Sequence, residues 1–241
     1  MTRIRWGATL WVLGLVAFPA QIVAAAMWPR TYSWRTNFIS DLGVTACEMF
    51  DVGTRVERYI CSPAHALANG STIVNGLLLT AGAVLLWSAW PRRRTGRLAM
   101  ALLMVGGLLV ALVGFLPWDV YPEHHDAVAL AQAAAQWVGM IVLVFALRGA
   151  GAFRGAAVLT AVSVVVSISG FVLFIDAIDG GPSFVLGLGI TERIAFDTLA
   201  VWGAVMGVIV LKSPPAARAN SLSVSGKHLS AIADAHRARP R

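Results

Sequence analysis

Six apolar stretches recur along the chain, at Trp6–Trp28, Pro63–Trp90, Leu98–Leu116, His125–Leu147, Gly155–Ile175 and Thr191–Leu211. Each approaches the ~20 residues that cross a bilayer as a helix. Within lipid a helix satisfies its own backbone hydrogen bonds, so stretches of this kind predict transmembrane helices. The connections are short and polar with two exceptions. Residues 29–62, between the first and second stretches, form a long segment rich in charge and aromatics. Residues 212–241 open with Lys-Ser-Pro-Pro and run on as a Ser-, Ala- and Arg-rich tail, a composition that predicts disorder. The expected architecture is an all-α polytopic membrane bundle. A six-helix transmembrane domain covers residues 1–211 and a basic tail covers 212–241.

The charged positions add an orientation. Fourteen of the nineteen Lys and Arg residues lie at the N-terminus, in the loops after the second and fourth stretches, or at and beyond the end of the sixth. With an even number of spans these four segments share one side, and of the twelve acids only Asp234 joins them. The positive-inside rule assigns that side, with both termini, to the cytoplasm of a cell carrying this protein in its plasma membrane. Arg3 and Arg5, an apolar run and Ala24-Ala25-Ala26 have the outline of a secretory signal. The run is longer than the 7–15 residues of a signal core, so it is read as a span. Pro19 is expected to kink it and Gln21 to face a neighbouring helix. Trp6, Trp28, Trp87, Trp90 and Trp118 lie near span ends, where aromatic anchors belong. Gly203 and Gly207 have the small-xxx-small spacing of a close helix contact.

Composition narrows the function classes. Hydrophobic residues make up 58% and charged residues 13%, against roughly 45–50% and 25% in soluble domains. The net charge of +7 does not indicate nucleic acid, because the bases sit at span ends and in the tail, where they meet anionic lipid headgroups. Gly-rich nucleotide loops are absent, which argues against a nucleotide-driven pump or a kinase.

Candidate chemistry gathers on the side away from the bases. The second span places His65, Asn69 and Thr72 on one face, and the fourth places His125, Gln132 and Gln136 likewise. The sixth carries Glu192, Arg193 and Asp197, with Arg193 and Asp197 spaced to pair. The fifth carries Ser169 and Asp176, and Pro117-Trp118-Asp119 closes the third. Polar groups in lipid are costly unless they face the bundle interior, so the stripes are expected to converge on an outward-opening cavity. Such a cavity would take a lipid headgroup or small polar ligand; equally, the same side chains can be glue between helices. Asp119 with His65, His124 and His125 resembles a zinc ligand set, and His65 with His125 a pair of axial haem ligands. Neighbouring histidines diverge by about 100° on a helix, and no spacing is diagnostic, so no metal or cofactor is assigned. Cys47 and Cys61 both lie in the first outer segment, where an oxidising compartment favours a disulfide worth roughly 3 kcal/mol for a loop of this length.

Several short segments resemble one family. Tyr32-Ser33 with Phe38-Ile39-Ser40-Asp41-Leu42-Gly43, Asn69 with Gly76, Gly114-Phe115-Leu116-Pro117-Trp118-Asp119 followed by His125, and Glu192-Arg193-Ile194 are similar in order and kind to the motifs of domain-of-unknown-function family 998. The resemblance covers about residues 8–211. It implies a six-span fold and singles out Ser40, Asp41, Asn69, Asp119, His125, Glu192 and Arg193, but supplies no reaction. Physically, Ser40 or Asp41 can cap a short helix, with Gly43 giving a left-handed exit. The loop is expected to fold over the cavity mouth with Asp41 paired to Arg193 or His125. Three functions follow: binding or transport of a lipid or small amphiphile, metal-dependent lipid hydrolysis, and a non-catalytic membrane subunit. Membrane lipids are the expected partners.

Overall fold

The computed structural model describes residues 3–213; the expected tail disorder concerns residues outside that range. The first span is two helices, α1 (Arg3–Leu13) and α2 (Ala17–Ala26), joined by one tighter turn at Gly14–Val16. Pro19 explains the break. It has no amide hydrogen, and its ring crowds the carbonyl of Leu15, so the helical ladder rearranges one turn upstream. The remaining spans are α3 (His65–Leu85), α4 (Arg93–Phe115), α5 (Pro122–Leu147), α6 (Arg154–Ile178) and α7 (Leu188–Lys212). Taking α1 and α2 together, six segments are long and apolar enough to cross a membrane. Several ends differ from the hydropathy reading. α4 starts at Arg93 rather than Leu98, since an arginine stem can lie along the helix while its head reaches out. α5 starts at Pro122, whose fixed φ suits the first helical position.

Each span packs against its neighbours in sequence, and α1 closes the ring against α7. The apolar core lies toward the basic end. Trp11, Trp90 and Trp202 meet there, with ring centroids 6.4 and 5.6 Å from Trp11, among Met100, Leu103, Met140 and Leu143. Trp90 is therefore a core residue and not an interfacial anchor, and Trp28 is likewise buried, whereas Trp6 stands exposed. Chain reversal after α3 folds Trp90 inward, which proximity to a span end does not reveal.

Two glycine positions govern how closely the helices approach. At the α3–α4 crossing, a Cβ on Gly76 would lie 2.4 Å from both the Gly107 carbonyl and the Ala111 amide nitrogen. The expected joint contact of Gly203 and Gly207 does not form. Gly207 presses on the Ala8 carbonyl of α1, but the absent side chain of Gly203 faces open space.

The segment between α2 and α3 is built around a two-stranded antiparallel ribbon, β1 (Cys47–Phe50) and β2 (Arg58–Cys61), that the all-helical reading lacked. Cys47 lies directly opposite Cys61 and the two form a disulfide. Val44 and Ile60 from this segment join Trp28, Tyr32 and Leu42 in a second apolar cluster that rests on Ala24, Ala64 and Ala68 at the span ends. This cluster seats the segment across the end of the bundle opposite the basic loops.

Candidate functional site

Between the tryptophan core and this cap the bundle is hollow. A cavity of about 160 Å³ has Trp11 and Gly203 toward its floor and Ile39, Ser40, Leu42 and Gly43 at the cap. Its wall carries Asn69, Thr72 and Asn75 from α3, His125, Gln132 and Gln136 from α5, and Glu192 and Asp197 from α7. Apolar surface from Phe18, Leu79, Val110 and Phe196 lies between them. The first span contributes Gln21, whose amide approaches Asp197 Oδ1 at 3.5 Å.

Eight of the thirteen candidate residues line this space: Ser40, Asn69, Thr72, His125, Gln132, Gln136, Glu192 and Asp197. The other five do other work. Asp119 Oδ2 accepts from the Thr45 and Ala46 amides and the Thr45 hydroxyl at 2.7–2.9 Å, tying the cap to the α4–α5 turn. Asp176 Oδ2 accepts from the Ser183 amide at 2.8 Å, stabilising the turn between α6 and α7. His65 Nδ1 lies 3.0 Å from the Ser62 carbonyl at the start of α3. Asp41 and Arg193 belong to the cap. No α6 residue reaches the cavity, and Ser169 points outward. The expected fifth-span stripe is replaced by the first span, which the kink at Pro19 bends into reach.

Two expected ion pairs are absent. Arg193 does not pair with Asp197 or with Asp41; its guanidinium donates to the carbonyls of Asn37 at 3.1 Å and Gly189 at 2.8 Å and to the Tyr32 hydroxyl. Asp41 instead binds Arg58 through both oxygens, Nε to Oδ2 at 2.8 Å and Nη2 to Oδ1 at 2.9 Å. The same carboxylate accepts from the Phe38 amide at 2.9 Å and from Asn37 Nδ2 at 3.2 Å. Arg58 is also enclosed by aromatic rings, with its Cζ 4.0 Å from the Phe38 centroid and 5.1 Å from that of Trp118. Local spacing missed this pair because Asp41 precedes the disulfide-closed ribbon and Arg58 opens its second strand. Gly43 likewise has no left-handed exit. Its glycine is needed because a Cβ would strike Asn69 Oδ1 at 2.1 Å, and Asn69 Nδ2 donates to the Gly43 carbonyl at 2.8 Å.

A signal for Arg58 existed in the charge pattern. Five arginines fall off the basic side: Arg30, Arg35, Arg55, Arg58 and Arg193. Arg30 lies over the Tyr59 ring, Arg35 donates to the Val185 carbonyl, and Arg55 donates to the Gly180 carbonyl. With Arg58 and Arg193, all five stitch the cap to itself, to the α6–α7 turn or to α7. Glu192 adds another fastening by accepting from the Ile39 amide. Burial raises the pKa of the Tyr32 phenol well above its usual value, with Arg193 opposing. Its proton is therefore retained for donation to the Phe38 carbonyl at 2.7 Å.

The zinc ligand set does not assemble. Among the described residues no three His, Cys, Asp or Glu side chains gather as a ligand set. His125 Nδ1 lies 2.6 Å from the Leu116 carbonyl, which only accepts, so that nitrogen is the donor.

Fold and cavity together define a multi-pass membrane protein with a capped, part-polar chamber inside its helical ring. The family model described as "Protein of unknown function (DUF998)" matches residues 12–209, and the chain belongs to that family. No curated protein and no solved structure matches it.

Proposed function

We propose that this protein binds a lipid or small amphiphile in the capped cavity, as a carrier or receptor in the plasma membrane. Its basic end faces the cytoplasm and its cap faces outward. One observation carries the binding reading over the helix-glue reading. Glue side chains hydrogen-bond across to neighbouring helices. Here Gln136 bonds Gln132 on its own helix, and Thr72 bonds the Ala68 carbonyl on its own helix. These groups face the chamber without fastening one helix to another, as residues awaiting a ligand would.

Gly203 offers the direct test, because a side chain there enters open space. Gly203→Leu should fold and should fill the chamber. Wild-type protein carried in native-lipid nanodiscs should retain a co-purifying small molecule or lipid by native mass spectrometry, and the variant should lose it. Identical bound species in both would overturn the binding reading. The orientation has its own test. Ser88 and Val120 are exposed in loops at opposite ends of the bundle. With an impermeant maleimide on intact cells, Val120→Cys should label at once and Ser88→Cys only after permeabilisation. The reverse order would invert the assignment.

A further inference from the structure

The chamber wall carries acids, Glu192 and Asp197, but no lysine or arginine among the described residues. The nearest cation, Arg193, has its guanidinium engaged by Tyr32, Asn37 and Gly189 toward the cap. Asp197 makes no contact ion pair: it accepts from the Gln21 amide at 3.5 Å, and the Arg193 charge acts on it from beyond contact distance. Carboxylates within a membrane are costly unless something positive faces them, and this fold spends its five off-side arginines on the cap.

Asp197 has a second property. It lines the central chamber and also a mostly apolar groove bordered by Ile190, Ile194, Val201 and Val205 of α7 and Leu159 of α6, with Arg193 at the groove's edge. The same carboxylate thus stands between a polar interior and an apolar surface, the two environments that an amphiphile's head and tail require. Phe18, Phe196 and Trp11 add aromatic surface to the chamber, and aromatic faces attract cations.

We infer that the ligand is an amphiphile with a cationic amine head, its ammonium set between Asp197 and Glu192 and its alkyl part against the chamber's apolar wall. This inference rests on the binding reading above and names the charge of its ligand. The amide and hydroxyl groups of Asn69, Thr72, Gln132 and Gln136 would accept the remaining ammonium hydrogens. An anionic head would find carboxyl groups and, among the described residues, no lysine or arginine on the chamber wall.

A matched series decides the matter: hexylammonium, hexanol and hexanoate titrated calorimetrically into the protein in nanodiscs, with heats from empty discs subtracted. Hexylammonium should bind about tenfold more tightly than hexanol, the scale of one charge-assisted hydrogen bond over a neutral one, and hexanoate should bind weakest. Asp197→Asn should erase the preference for the amine while hexanol binding persists. If hexanol or hexanoate binds wild type as tightly as the amine, and Gly203→Leu abolishes all binding, the cationic assignment is overturned and the chamber remains a binding site. If Gly203→Leu changes nothing, the binding reading fails and this inference with it. If Asp197→Asn does not fold, Glu192→Gln and the wild-type series decide: an undiminished amine preference in Glu192→Gln, or none in wild type, overturns the assignment.

Discussion

Asp41→Ala is expected to be the most damaging conservative-sized change in the cap, lowering stability by about 3–5 kcal/mol, the usual cost of breaking a buried ion pair from one side. Asp41 is fully buried and the Arg58 side chain is 5% exposed, so the guanidinium left behind has little water to turn to. The same change strands the Phe38 amide and one hydrogen of Asn37. It should appear as a large fall in the thermal unfolding midpoint of the purified protein and in the yield of monodisperse material. A double change separates the ion pair from the rest. Asp41→Leu with Arg58→Met removes both charges, and well-packed apolar replacements of buried pairs are often neutral. It should recover part of the loss but not all, because the Phe38 and Asn37 bonds stay broken. Wild-type behaviour of Asp41→Ala would mean that the cap is not held by this carboxylate.

Gly76→Val is the second large effect. The added carbons would collide with the backbone of α4, at the Gly107 carbonyl and the Ala111 amide, and backbone cannot turn aside as a side chain can. Overpacking a well-fitted core costs typically 1–3 kcal/mol and occasionally more. A clash against backbone on both contacts belongs at the upper end of that range. Gly70 provides the control, since it lies on the same helix with nothing within 4 Å of its would-be Cβ. Gly70→Val should therefore unfold close to wild type, while Gly76→Val unfolds much earlier in the same detergent. Equal midpoints for the two variants would show that close approach of α3 and α4 is not what stabilises the ring.

These two sites make different demands on the chain. The α3–α4 crossing fixes how tightly the ring can close, and so how much space remains at its centre. The Asp41–Arg58 pair fixes the cap from above, with Asn69 and Glu192 fastening its underside. Both Asn69 and Glu192 also line the chamber. A ligand that engages either residue would therefore act on a group that also holds the cap, which couples occupancy to cap stability through shared hydrogen bonds.

The sequence alone determined the six spans and the separation of charge between the two ends. Both depend on local quantities: the length of an apolar run against the thickness of a bilayer, and the side on which each loop's bases fall. It also placed Asn69, Thr72, Gln132 and Gln136 on inward faces, because helical periodicity and the cost of polar groups in lipid leave them one direction to point. Tertiary structure decided what those rules do not reach. Asp41 took Arg58, seventeen positions away, in place of the expected Arg193 or His125, because the disulfide-closed ribbon carries Arg58 back over the cap. Arg193 turned to the cap and left Asp197 facing the chamber. The first span, bent at the turn before Pro19, supplied the wall that the fifth was expected to give. Each outcome depends on which elements meet across the ring, and pairings between distant segments are set by three-dimensional packing rather than by spacing along the chain.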